Sequence, residues 1–567
     1  MDKKDVARGL EEIARFLELK GENPFRVRAY RTAARAIATL PGELETALSS
    51  GALAEVKGVG PAILQIVREL VTTGRSRVLE DLRDEVPPGL VEMLQISGLG
   101  VARVRQIHQA LHVETLAELE EAARDGRLAE LPRFGKKTTD NILKGIEFLR
   151  QSTGFRLFHH ARAEATALAE VLRTMPGVRR VAIAGSLRRR VEVIRDLDLV
   201  VELEGSPGPL IERLGAAPGV REFVNQTEHT ITLRFGSGTV AEIHLAPRER
   251  FGFELIRATG SAAHLRQLAD RARERRLAWD AGLGGCEEAD VYRALGLEAI
   301  PAELREGQGE IEAAAAGALP ALVEGSDLAG FLHCHTNYSD GASTAAEWAE
   351  ACRSAGYRYL GLTDHSKSAA YAGGLREDDI PRQHAEVDEV NRRFSDFRVL
   401  KGVEADILQD GRLDYTPEVR AGFDFIIASV HSRYGMDQGQ MTQRVLQAMD
   451  DPHMAILGHP TGRLLLSRDP YPLDLDAVFA KAADRGVAIE INADPQRLDL
   501  DWQAVRRAVA AGVTISLGAD SHGVSAIGNM ELGVGIARKA WLTKHQVLNV
   551  QPVEAFLAFV ARRRSRS

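Results

Sequence analysis

The chain has 567 residues and a mass of 61.8 kDa, well past the ~250 to 300 residues at which a single core stops growing, which excludes one compact domain. Hydrophobic residues at 44% and charged residues at 27% exclude wholesale disorder. With 72 Lys plus Arg against 80 Asp plus Glu, the net charge of -8 excludes a globally basic nucleic-acid binder. No apolar run approaches the ~20 residues of a membrane span, and the start MDKKDVARGLEE lacks the plan of a signal peptide. Cys286, Cys334 and Cys352 form no CxxC pair, so neither a disulfide framework nor a thiolate zinc site is expected.

Up to about residue 150 the runs IARFLELK, YRTAARAIATL, PAILQIVREL and ARVRQIHQAL carry apolar residues at helical spacing, and strand signals are nearly absent. Three segments there share one plan. VKGVGPAI, ISGLGVAR and LPRFGKKT each place an apolar residue before a Gly-containing turn that leads into a helix. Glycine admits positive φ and lets backbone amides approach a phosphate, which the helix N-terminus then favours. Gly58, Gly60, Gly98, Gly100, Gly135 and Lys136 are therefore candidates for sequence-independent contact with a DNA backbone. The segments resemble helix-hairpin-helix motifs. Arg28, Arg31 and Arg35 form either a phosphate-facing stripe or a solvated face.

From about residue 177 the runs VRRVAIAG, LDLVVELE, HTITLRF and TVAEIHLA predict strands. Asp196 and Asp198 sit two apart, so they share a face opposite Leu197 and Leu199; Glu242 and His244 share a face opposite Ala241, Ile243 and Leu245. Carboxylates so close repel unless a cation lies between them, and a pair of Mg²⁺ ions serves in-line displacement. The preceding Gly185 and Ser186, followed by Arg188 and Arg189, offer an amide, a hydroxyl and guanidinium groups to a triphosphate.

Residues 1 to about 310 resemble a family X DNA polymerase, with GS, then DxD, then a carboxylate on a later strand, and Thr259, Gly260 and Ser261 as a TGS element. The resemblance implies an N-terminal helical DNA-binding domain (1–80), fingers (81–150), a nucleotidyltransferase palm (151–250) and a thumb (251–310). It implies Asp196, Asp198 and Glu242 as ligands of Mg²⁺ or Mn²⁺, and Ser186 with Arg189 on the nucleotide. Three departures stand out: Glu242 where the family has Asp, Arg257 and Ala258 at an aromatic pair, and Leu265 at a minor-groove Asn. Glu242 reaches a methylene further than Asp, so Mn²⁺ is expected to serve better than Mg²⁺. The Schiff-base lysine of lyase-competent relatives falls at Ile66, so weak or absent lyase activity is expected unless Lys57 substitutes.

Residues 311–328 are small-residue-rich and expected as a linker. Beyond them YRYLGLTD, DFIIASVH, MAILGHP, GVAIEINA and VTISLGAD alternate with helical sequence, the rhythm of a β/α barrel. Six histidines, His333, His335, His365, His431, His459 and His522, fall at ends of predicted strands, with Asp340, Glu404 and Asp520 beside them. The HxH of FLHCHTNYSDG suits two imidazole ligands on one ion. The set resembles the PHP (polymerase and histidinol phosphatase) family throughout 329–567. That resemblance implies a distorted barrel with up to three Mn²⁺ or Zn²⁺ ions: His333, His335, Glu404 and Asp520 on one, Glu404, His431 and His459 on a second, Asp340, His365 and His522 on a third. The implied chemistry is phosphoester hydrolysis.

The fold class expected is multidomain α/β, from an all-α helix-hairpin-helix region through an α+β palm and thumb to the barrel. The expected function is a bacterial DNA repair enzyme, as in base excision repair, that fills short gaps and carries a 3′-5′ exonuclease or 3′-end phosphoesterase. Its expected partners are gapped or nicked DNA and deoxynucleoside triphosphates, with no membrane; a monomer in the cytoplasm, at the nucleoid during repair, is expected. Two alternatives stay open: a DNA-end-binding nuclease scaffold with a degenerate polymerase half, and a small-molecule phosphatase of the histidinol phosphate type.

Overall fold

The computed structural model describes residues 3–38, 40, 44–56, 58–96, 98–217, 219–279 and 283–565; Lys57 lies outside them. The chain divides into two compact units, Met1–Thr153 and Gly154–Ser567. No helix among the described residues is long and apolar enough to cross a membrane.

The first unit is helical, as its periodicity requires. Helix α1 (Lys3–Leu19) buries Val6, Leu10, Ile13, Ala14 and Leu17 on one stripe. Ile66 is buried in the same core. The three Gly-containing turns have one geometry: Val59, Leu99 and Phe134 each donate a backbone N–H three residues back, to Val56, Ile96 and Leu131, and each side chain is buried. Gly60, Gly100 and Gly135 are the N-caps of the helices Pro61–Thr73, Val101–Leu111 and Lys136–Ser152. Two residues before each cap the backbone enters the left-handed region, at Gly58 (φ 100°), Gly98 (φ 85°) and, in the third copy, Arg133 (φ 73°). The third copy is thus the same turn without its first glycine. Arg31 is tied to Glu18 at 2.5 Å, which makes it a helix-to-helix clasp.

The second unit contains a five-stranded sheet and a barrel. The strands before the barrel are β1 (Arg156–Leu157), β2 (Val178–Ile183), β3 (Val193–Ile194), β4 (Asp196–Leu203), β5 (Val220–Gln226), β6 (Thr230–Phe235) and β7 (Val240–Ala246). Short β1 and β3 pair with each other, and the sheet order is β2-β4-β7-β6-β5. Strand β4 lies parallel to β7, a register that sets Asp198 opposite Glu242. Polar edge strand β5 carries no periodic signal in the sequence, because VREFVNQ has no buried face to pattern.

The barrel closes through seven parallel strands, β8 (Gly330–Cys334), β9 (Tyr359–Leu362), β10 (Arg398–Asp406), β11 (Phe425–Ser429), β12 (Met454–Leu457), β13 (Ala488–Asn492) and β14 (Ile515–Ser521). The stretch 311–328 expected as a linker is packed. Glu310–Ala315 is a helix, Ile311 and Ala314 join a core with Phe253 and Tyr292, and Val323 is fully buried. Alanine supplies helix propensity without a visible apolar period, which is why the segment reads as a linker in sequence.

Candidate active sites

Gly185 opens the short helix Gly185–Arg188 in the left-handed region (φ 65°), and a Cβ there would stand 1.8 Å from Asp198 Oδ2. The GS element and the DxD strand therefore fit only because residue 185 has no side chain. Gly185→Ala is expected to push Asp198 off its position and to cost most primer extension, measured on a gapped duplex, while oligonucleotide shortening persists.

Asp198, Glu242 and His244 bring ligand atoms within 4.8 Å of one another. Burial, with the charges of Asp198 and Glu242, holds the Asp196 carboxyl above its ordinary range. A cation held between these like charges would relieve their repulsion.

Arg188 forks onto Glu288 with two contacts of 2.7 Å and reaches Thr259 Oγ1 at 3.1 Å. Arg189, expected on the triphosphate, donates to Glu306 at 2.9 Å and to the Thr259 carbonyl at 2.7 Å. Thr259 is buried, while Ser261 caps the helix Ala262–Glu274, accepting from His264 N. The TGS element thus anchors the arginines and starts a helix.

Glu288 also receives Arg305, which is almost fully buried. Burial opposes its charge, but the hydrogen bonds from Arg188 and Arg305 prevail and hold the carboxyl down at about 2. A depressed folded pKa means that this stability is full above the ordinary carboxylate range and fades as pH falls toward 2. Glu288→Gln leaves Arg305 without its counter-charge, so denaturation is expected to need about 3–5 kcal/mol less, read from chemical unfolding at neutral pH.

In the barrel, imidazole and carboxylate side chains converge at the C-terminal ends of the strands. Glu404 is fully buried at the centre. Its Oε1 lies 2.9 Å from His459 Nε2, 3.2 Å from His431 Nε2 and 3.3 Å from His333 Nε2, and its Oε2 lies 2.8 Å from His365 Nδ1. His335 Nε2 lies 3.3 Å from Asp520 Oδ1. Asp340 Oδ1 faces His522 Nε2 at 3.4 Å and its Oδ2 faces His365 Nε2 at 3.7 Å.

Pairing registers shift at His333 and at Asp520, and both residues have positive φ, 62° and 47°. These irregularities re-aim the two side chains, a placement that simple strand alternation does not supply. Burial works against the charged form of Glu404, yet His431, His365 and His333 pull it well below the carboxylate range. His431 is pushed up to about 10 and His522 to about 9, in both cases against burial, by Glu404 and Asp406 for the first and by Asp340 and Asp520 for the second.

The donor set fits divalent cations. His333 Nε2, both ring nitrogens of His335 and Glu404 Oε2 are buried without hydrogen-bond partners, and imidazole with carboxylate is the set that borderline and hard divalent ions share.

Two orienting carboxylates were missed in the sequence. His333 Nδ1 donates to Glu490 Oε1 at 2.5 Å, and His431 Nδ1 to Asp406 Oδ1 at 2.7 Å. Glu490 also accepts from His459 N at 2.7 Å and Asn492 Nδ2 at 3.0 Å. Asp406 had a signal, since it stands two residues beyond Glu404 on one strand; Glu490 showed only as an acid inside apolar AIEIN. Such partners fix ring orientation, so Glu490→Gln is expected to weaken ion binding in the barrel by about 10- to 100-fold, measured as retained metal after dialysis.

A family model for the "PHP domain" matches residues 332–494, a "Helix-hairpin-helix domain" matches 1–76 and a "SAM-like Helix-hairpin-helix tandem" matches 90–147. Along 98% of this chain and 99% of the relative, the sequence is 35% identical to the "DNA polymerase/3'-5' exonuclease PolX" of Bacillus subtilis. The chain belongs to the bacterial family X DNA polymerases with a C-terminal PHP domain. Shorter proteins are similar to part of this chain. A "Probable phosphatase" of Clostridium acetobutylicum is 31% identical over 38% of this chain and 88% of its own length, and one of Shewanella sp. strain MR-4 is 27% identical over 41% and 92%.

Proposed function

We propose that this family X protein is a DNA repair enzyme that fills short gaps with its palm and trims or dephosphorylates 3′ ends with its PHP barrel. The observation that carries the reading is the presence, on one chain that PolX matches end to end, of two separate clusters of carboxylate and imidazole groups spaced to hold a cation, around Asp198 with Glu242 and around Glu404. In this reading 1–80 and 81–150 are DNA-binding helical domain and fingers, 151–250 palm, 251–310 thumb and 329–567 the phosphoesterase.

The amides that follow Gly60, Gly100 and Gly135, with Lys136, grip phosphates of gapped or nicked DNA without reading bases. Asp196, Asp198 and Glu242 hold Mg²⁺ or Mn²⁺, and Gly185 and Ser186 face the phosphates of a deoxynucleoside triphosphate, with Thr259, Gly260 and Ser261 bracing Arg188 and Arg189. In the barrel up to three Mn²⁺ or Zn²⁺ ions would be held, one by His333, His335, Glu404 and Asp520, a second by Glu404, His431 and His459, and a third by Asp340, His365 and His522. Bound ions supply the positive charge that a phosphoester accumulating negative charge requires. Glu490 and Asp406 hold two of the imidazoles in the tautomer that presents Nε2. The protein acts as a monomer in the cytoplasm, at the nucleoid during repair.

Two assays on one preparation test the reading: primer extension across a short gap, and shortening of a 5′-labelled oligonucleotide. A second reading, an end-binding nuclease whose polymerase half is degenerate, draws on the engagement of Arg189 by Glu306. Shortening without extension would select it. Release of phosphate from a small monoester, with no action on DNA ends, would instead favour a small-molecule phosphatase.

A further inference from the structure

His244 is 7% exposed, and neither ring nitrogen has a hydrogen-bond partner. Leaving a buried polar group unpaired is destabilising, a penalty that an apolar residue at this position would avoid. Its strand places it where that penalty has a use. Period two along β7 sets His244 on the face of Glu242, and the parallel register sets Glu242 opposite Asp198 and His244 opposite Val200. The imidazole Nε2 stands 3.8 Å from Asp198 Oδ1 and 3.7 Å from Glu242 Oε1.

Those separations are too long for hydrogen bonds. They are near the spacing of donors around a shared ion, since ligands about 2.1 Å from one centre lie roughly 3.0–3.4 Å apart. Rotation of either carboxylate covers the difference. The barrel contains a counterpart: His335, also buried with both nitrogens unpartnered, stands 3.3 Å from Asp520 and 3.8 Å from Glu404. Among the described residues, no other histidine has both nitrogens buried and unpartnered.

We propose that His244 Nε2 is a third donor, with Asp198 and Glu242, to a divalent cation at the palm, which gives that site a nitrogen ligand and a preference for Mn²⁺ over Mg²⁺. The proposal rests on the reading of the palm carboxylates as a nucleotidyl-transfer centre. Its discriminating power follows from donor chemistry. Mg²⁺ takes oxygen ligands in strict geometry and gains little from imidazole, whereas first-row transition ions accept it readily. A role in packing or as a counter-charge would affect both ions alike.

The test is a Mn²⁺ titration of the full chain followed by electron paramagnetic resonance, with Mg²⁺ as competitor, in the wild type, Asp198→Ala and His244→Ala. The ion lost in Asp198→Ala marks the palm site against the barrel background. At that site His244→Ala is expected to weaken Mn²⁺ about tenfold and Mg²⁺ less than about twofold. Should the alanine variant melt early, His244→Gln is read for the same ratio. Unchanged Mn²⁺ affinity, or an equal fall for both ions, overturns the proposal and leaves the palm reading standing. An Asp198→Ala protein that binds as many ions as the wild type overturns that reading, and the proposal with it.

Discussion

Glu404→Gln is expected to abolish oligonucleotide shortening, a loss of roughly 10³-fold or more, while primer extension on a gapped duplex stays within about twofold. The carboxylate is fully buried and faces four imidazole nitrogens within 3.3 Å. Glutamine keeps its shape but brings an amide NH₂ toward ring nitrogens and removes the charge against which His431 and His333 are balanced. No single histidine substitution removes as much, because each imidazole serves one side of the cluster. His333→Ala is the milder version of the same result. Retained metal and thermal melting of the variant separate loss of the centre from loss of the fold. Shortening at wild-type rate by a folded Glu404→Gln protein would remove the barrel cluster from the reaction.

The mirror image is expected of Asp198→Ala, with extension falling by roughly 10³-fold and shortening spared. Asp198 sits in register with Glu242, against Gly185, and within 3.8 Å of His244, so its removal takes away the oxygen common to these neighbours. No carboxylate near it in sequence replaces it: Asp196 is one pleat away, opposite Val240. Both activities measured on each variant make a cross, and equal loss of both activities in a folded protein would contradict two independent centres.

Much of this architecture is legible because its signals are local. Period two along DLDLVVEL places Asp196 and Asp198 on one side of a strand, and the structure buries Leu197 and Leu199 on the other. The repeated turn around Gly58 and Gly98 is local as well, and it survives in the third copy at Arg133 because the fold tolerates a non-glycine residue at positive φ there. Strand β10 shows in the sequence only through Glu404, since RVLKGVEAD mixes charge into a strand whose apolar run is short.

The sequence by itself determined the helical start, the mixed sheet, the barrel rhythm and the histidines at strand ends, because hydrophobic period and turn chemistry act over a few residues. Only the tertiary structure decided which groups meet. His333 finds Glu490 across 157 positions, Arg189 is claimed by Glu306 across 117, and His264 finds Glu310 across 46. Each pairing is set by where whole strands and helices pack, and a buried polar group takes whichever partner that packing delivers, so no local pattern records the choice.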